Sequence, residues 1–176
     1  MSPGIPVPNA TNHAAAAKNP RAYFTKETIA KFDAQAAQYP SSRAALIPIL
    51  HYAQDEKGWL SHETLEMVAL FLNLAPIHVW EVVTFYPMFH LKPAGKHVVW
   101  VCRNISCDLR GCQDLIQTIE TKYKIKPGET TPDGKLTFKL AECLGGCAQA
   151  PVADLDGEYH ENLTPAQLEK LLGELK

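Results

Sequence analysis

The sequence predicts an α+β chain, with a helical bundle first and an α/β unit second. Three observations support this. Between Thr25 and Val83 the apolar residues recur at helical spacing, in four stretches separated by cap residues and prolines. From Lys96 onward, short apolar runs of strand length alternate with helical stretches. Pro87, Pro93 and Gly95 punctuate the chain between the two patterns. The expected boundaries are a tail over residues 1–22, a bundle over 23–90, a linker over 91–95 and the α/β unit over 96–176.

Pro, Ala and Asn dominate the first segment without a sustained apolar period, which predicts a loose tail. Thr25 offers the first cap, and Ile29, Phe32 and Ala36 share one face of the helix it opens. A second helix is expected from Ser41 or Ser42, placing Leu46, Ile49, Leu50 and Ala53 together and ending at Gly58. Pro48 sits awkwardly in that run unless it falls in the first turn. Ser61 opens a third helix with Leu65, Val68, Ala69 and Leu72 in register, and Pro76 stands at the first position of a fourth through Val79, Val82 and Val83. In the second half, Val98-Val99-Trp100-Val101 reads as a buried strand and Leu115, Ile116, Ile119 and Tyr123 as a helix. Pro132-Asp133-Gly134 is turn chemistry, and Leu136 to Leu140 alternates as a half-buried strand. Val152 to Leu155 forms a further strand, Asp156-Gly157 a hairpin turn, and Thr164-Pro165 caps a last helix bearing Leu168, Leu171, Leu172 and Leu175.

Composition excludes several classes. Apolar residues make up 46% and charged ones 20% of the 176, ordinary values for a globular protein. A net charge of -2 gives no electrostatic case for nucleic acid or an anionic membrane. No apolar run approaches the length of a spanning helix, so no direct membrane insertion is expected. The start MSPGIPVPNA lacks the order of a secretory signal and the Arg-rich pattern of a mitochondrial presequence. A bacterial cytoplasm is the expectation, and in a reducing compartment cysteines serve metals or catalysis more often than disulfides.

Five cysteines are present, an odd number for a disulfide framework. Four form two pairs: Cys102 and Cys107 with four residues between them, then Cys143 and Cys147 with three, the pairs separated by 35 residues. Each pair falls at or just after a predicted strand, with Cys107 in the loop after the first and Gly145-Gly146 inside the second pair. Glycines there allow a tight turn and leave backbone amides to hydrogen-bond sulfur. Four soft thiolates suit an iron–sulfur cluster or zinc. The spacing alone leaves both open, and redox thiols as well, although C-x-x-C is absent. Cys112 is expected to be a small, semi-buried apolar residue. There is no G-x-G-x-x-G fingerprint, so nucleotide binding is not expected on this chain. His78, His90 and His97 are dispersed and read as solvated or core residues, and Lys122, Lys124 and Lys126 as a solvated helix end. Trp59, Trp80, Phe85, Tyr86, Met88 and Phe89 read as core packing between the two domains or as a docking surface.

From about Tyr39 to its end the chain resembles the thioredoxin-like [2Fe–2S] subunits of respiratory complex I, the E-type subunits of the bacterial NADH:quinone oxidoreductase. The resemblance rests on Ala45-Leu46-Ile47-Pro48, Gly58-Trp59-Leu60-Ser61, Glu81-Val82-Val83-Thr84-Phe85-Tyr86 and Lys92-Pro93-Ala94-Gly95-Lys96. It continues through Leu109-Arg110-Gly111, Gly128 to Gly134, Glu142-Cys143-Leu144-Gly145-Gly146-Cys147, Ala150-Pro151-Val152 and Leu163-Thr164-Pro165. It implies a thioredoxin-like [2Fe–2S] ferredoxin domain after the bundle, with one [2Fe–2S] cluster on Cys102, Cys107, Cys143 and Cys147. It further implies an electron-transfer role within an NADH dehydrogenase, with no complete active site on this chain. Single electrons would be exchanged with FMN on a partner, the NADH-binding flavoprotein of the F type, beside an iron–sulfur protein of the G type. The site of action would be the peripheral arm on the cytoplasmic face of the bacterial inner membrane. The equivalent subunits of NAD-linked hydrogenases and NAD-dependent formate dehydrogenases are similar, and a zinc-held interaction module is the alternative of another class. Asn104-Ile105-Ser106 departs from a loop rich in threonine in the family, and Asp108 stands where an apolar residue is frequent.

Overall fold

The structure, a computed structural model, describes residues 19–175. The tail expected over residues 1–18 lies outside the described residues. The chain divides into two compact units, Met1–Lys92 and Pro93–Lys176.

The first unit is helical: α1 (Pro20–Tyr23), α2 (Lys26–Ala36), α3 (Leu46–Lys57), α4 (His62–Leu72) and α5 (Pro76–Phe85). Thr25 and Ser61 cap α2 and α4, each accepting from the backbone amide three residues on. The stripes read from the sequence meet in one core, where Phe32, Leu46, Ile49, Leu50, Leu65, Val68 and Val79 are buried. Two details differ from the sequence reading. The expected tail runs to residue 22, yet Asn19 caps the short α1. The second helix begins at Leu46 rather than Ser41 or Ser42, because residues 41–45 form turns. Pro48 thereby falls in the first turn, where its missing N–H has no intrahelical partner to lose. Trp80, Tyr86 and Met88 pack on this unit's own core and Phe89 is buried in it, whereas Phe85 is 76% exposed.

The second unit holds β1 (His97–Cys102), α6 (Ile105–Leu109), α7 (Cys112–Tyr123), β2 (Leu136–Ala141), a single 3-10 turn (Cys147–Gln149), β3 (Ala153–Leu155), β4 (Glu158–His160) and α8 (Pro165–Gly173). The strands form one sheet in the order β2-β1-β3-β4. β1 and β2 are parallel, with Val99 opposite Phe138 and Cys102 opposite Ala141; the other two pairings are antiparallel. Val99, Val101, Leu136, Phe138 and Leu155 share one face and bury against Leu115 and Ile119 of α7 and Leu168 and Leu172 of α8. Lys122, Lys124 and Lys126 are exposed, and the Lys122 ammonium also pairs with Glu169 at 2.9 Å, which ties α7 to α8. His97 likewise meets a partner, Asp156, at 2.6 Å.

Gly95 leads into β1 where the chain passes closest to β2. A Cβ there would lie 2.9 Å from the Leu136 nitrogen and 2.9 Å from the Lys135 carbonyl carbon. Both are backbone atoms that cannot swing aside. The Gly95 amide also donates to Thr137 Oγ1 at 2.6 Å, a bond that fixes the approach. Gly95→Ala is expected to destabilise this unit by about 2 kcal/mol. Urea unfolding checks it, and an unchanged midpoint would show that the approach tolerates a methyl group.

Candidate metal centre

Parallel pairing of β1 and β2 decides where the thiols go. Parallel strands end at the same edge of a sheet, so the segments after Cys102 and after Ala141 emerge side by side. Cys102 is the last residue of β1, and its amide donates to the Val152 carbonyl at 3.1 Å. Cys143 lies two residues beyond β2, and Cys147 opens the 3-10 turn. Cys107 is not in a loop, as the sequence suggested, but in the middle of the short helix α6. That helix packs against the turn that starts at Cys147. All four cysteines therefore gather at one edge of the sheet, carried by two adjacent chain segments.

The two segments are stitched to each other. Arg103 donates through Nε to Glu142 Oε1 at 3.0 Å, and its backbone amide reaches the Ala141 carbonyl at 3.0 Å. Asn104 Nδ2 donates to the Glu142 carbonyl at 2.7 Å, while Asn104 Oδ1 accepts the Ile105 amide that opens α6. The Arg103 and Asn104 bonds to Ala141 and Glu142 thus link the residues between Cys102 and α6 with the two residues that precede Cys143. Inside the second pair, Gly145, at φ 82°, donates its amide to Cys143 Sγ at 3.3 Å. Gly146 plays a different part from the one expected of it. A Cβ on it would stand 2.9 Å from Val152 Cγ2, so the turn is seated against the residue that holds Cys102.

Exposure divides the four thiols. Cys102 and Cys107 are each 2% exposed, whereas Cys143 and Cys147 are exposed. Burial, with Cys102 beside it, pushes the Cys107 thiol up to about 11. Without a cation the Cys107 thiol is thus held neutral, and binding one there must release its proton. Cys112 is fully buried at the start of α7, its thiol raised by burial and then by the Asp108 carboxylate. Cys112 Sγ reaches Asp108 Oδ1 at 3.9 Å, and Gln113 Nε2 donates to the same oxygen at 2.9 Å. Among the described residues no three His, Cys, Asp or Glu side chains stand close enough to form a ready metal cage. Cys102 and Cys107 are brought into contact, and the outer pair is left facing solvent. The donor set fits a [2Fe–2S] cluster nonetheless: four sulfurs from two tied segments, with a backbone amide already aimed at one of them.

Comparisons with known proteins bear on the family and the fold. Residues 32–176 match the family model of the thioredoxin-like [2Fe–2S] ferredoxins. Relatives include the second E-type NADH-quinone oxidoreductase subunit of Rhizobium meliloti, 44% identical over 142 residues that cover 81% of this chain and 84% of that protein. The E-type NADH-quinone oxidoreductase subunit of Rickettsia typhi is 40% identical, over 85% of this chain and 89% of the relative. Among solved structures, an NAD+-reducing [NiFe]-hydrogenase chain superposes with a TM-score of 0.65 at 23% identity. That match covers 73% of this chain and 22% of the hydrogenase chain, and it speaks for the fold.

Proposed function

The chain belongs to the thioredoxin-like [2Fe–2S] ferredoxin family, and on that premise we propose that it is the [2Fe–2S] electron-transfer subunit of an NADH:quinone oxidoreductase. Cys102, Cys107, Cys143 and Cys147 would hold the cluster, which when bound supplies a one-electron carrier. The flavin and the NADH site would reside on a flavoprotein partner of the F type, with an iron–sulfur protein of the G type as neighbour. The assembly would stand in the peripheral arm on the cytoplasmic face of a bacterial inner membrane. Among the described residues no helix is long and apolar enough to cross a membrane. The bundle over 23–90, the linker over 91–95 and the cluster-bearing unit over 96–176 are proposed as its working parts.

The observation that supports this reading is that the two cysteine-bearing segments follow the shared end of the parallel strands β1 and β2. This chain's residues have three tasks there. Cys102 and Cys107 would present sulfur from a water-poor edge, Cys143 and Cys147 would present it from the solvent side, and the Gly145 amide donates to the Cys143 sulfur. Anaerobic purification with its neighbouring subunits tests the proposal. The expected product is red-brown, holds about two iron and two acid-labile sulfide per chain, and gives a rhombic paramagnetic signal on reduction. Stoichiometric zinc without iron would sink it, and recovery with a hydrogenase large subunit would move the chain to another assembly.

Asp108 adds a negative charge on the helix that carries Cys107. That charge opposes addition of an electron nearby, so Asp108→Asn is expected to raise the reduction potential. The residue is exposed, and solvent screening limits the shift to roughly some tens of millivolts. A redox titration checks the sign, and a lowered value would contradict it.

A further inference from the structure

We propose that Asn104 is a positioning residue for the cluster, setting the separation of the two cysteine-bearing segments; this rests on the ligand reading above. The side chain works at both ends. Its Oδ1 accepts the first amide of α6 at 2.8 Å, which fixes the start of the helix bearing Cys107. Its Nδ2 donates at 2.7 Å to the Glu142 carbonyl, the peptide oxygen immediately before Cys143. One planar amide thus spans the gap between an inner ligand and an outer ligand, touching neither sulfur. The Asn104 carbonyl adds a third tie by accepting the Asp108 amide at 2.8 Å within the same helical turn.

Arg103 and Glu142 join the same two segments, but their pair is the weaker device. The two side chains are 50% and 78% exposed, so salt and solvent screen their attraction. Asn104 is exposed as well, but its bonds are neutral and go to backbone atoms, so salt does not screen them. A four-thiolate site tolerates small errors in ligand placement poorly, and groups that orient ligands have large effects on retention of the metal.

Asn104→Asp separates the two roles. Aspartate caps a helix as well as asparagine does, but its carboxylate cannot donate to the Glu142 carbonyl. The full chain, reconstituted anaerobically with iron and sulfide, is challenged with a ferrous chelator while its visible absorbance and visible circular dichroism are followed. Asn104→Asp and Asn104→Ala are both expected to lose the cluster about tenfold faster than the parent. Before the challenge, Asn104→Asp should show an altered visible dichroism, which reports how the thiolates are oriented. Arg103→Ala is expected to stay within about twofold of the parent. Unfolding of the cluster-free Asn104→Asp chain should shift only slightly from that of the parent, because a single exposed hydrogen bond is lost. The proposal is overturned if Asn104→Asp keeps both the parent's chelator resistance and its dichroism, whatever Asn104→Ala does. Failure of the ligand reading looks different: Cys143→Ala would then hold as much iron and sulfide as the parent, and both ideas would fall.

Discussion

Cys143→Ala is expected to hold less than about a tenth of the parent's iron and sulfide, while the polypeptide stays folded. Both halves of that expectation come from where the residue lies. Cys143 is exposed, outside the core of its unit and two residues past the end of β2, so its truncation leaves no cavity. What it removes is one of four sulfurs and the acceptor of the Gly145 amide. Three remaining thiols cannot complete a four-thiolate shell. Cys112→Ala is the matched control. Its side chain is fully buried in the core, so it should cost about 1 kcal/mol of stability yet leave the cluster in place. Iron and sulfide analysis of both variants, with thermal unfolding of each, separates ligand from core residue. Parent-like iron in Cys143→Ala would remove it from the ligand set, and loss of the cluster in Cys112→Ala would bring that cysteine into it.

The helices of the first unit were legible because each long one repeats its apolar residues over two or three turns. Phe32, Leu50, Leu65 and Val68 are buried as their spacing implied. What escaped is short. α1 has four residues and α6 five, too few for any period to show. The sign that could have found α6 is Asn104, a strong cap residue directly before Ile105, with Cys107 one turn away. The four cysteines could be read as two pairs at strand ends, since a strand followed by a crossover helix and a second strand brings both ends to one edge. Their unequal exposure could not be read. It depends on α6 and on the seat of the Gly146 turn against Val152, neither of which has a local sequence signature. Nor could the link between Arg103-Asn104 and Glu142 be seen, because it joins residues 38 or 39 positions apart and arises only when β1 and β2 pair in register.

Acid should weaken the helical unit through one carboxylate, Glu56. Burial opposes its ionisation, but hydrogen bonds from Lys57, Thr28 and Thr25 outweigh burial and hold the carboxyl down at about 2. Its Oε2 accepts both the Thr25 amide and the Thr25 hydroxyl at 3.0 Å, so the same group that caps α2 is anchored on α3. Lys57 completes the arrangement, pairing with Glu56 at 2.8 Å and donating to the Tyr23 carbonyl at 3.0 Å. The Glu56 side chain is only 14% exposed, which leaves little solvent to screen these bonds. The folded value lies below the ordinary 4.5 of an unfolded chain, so the folded state binds the proton less readily. The stabilisation is therefore fully present above pH 4.5, declines as the pH falls, and is gone below about 2. The full shift corresponds to about 3 kcal/mol, and at pH 3 less than about half of it remains. Glu56→Gln should accordingly be less stable than the parent by about that amount at pH 7, with the gap closing steadily toward pH 3. Urea unfolding of both chains at several pH values, followed by helical circular dichroism, measures the gap. A difference that stays constant from pH 7 to pH 3 would mean that Glu56 acts through its shape rather than its charge. Thr25→Ala would then be expected to reproduce the loss, because the cap and its anchor are one hydrogen-bonded unit.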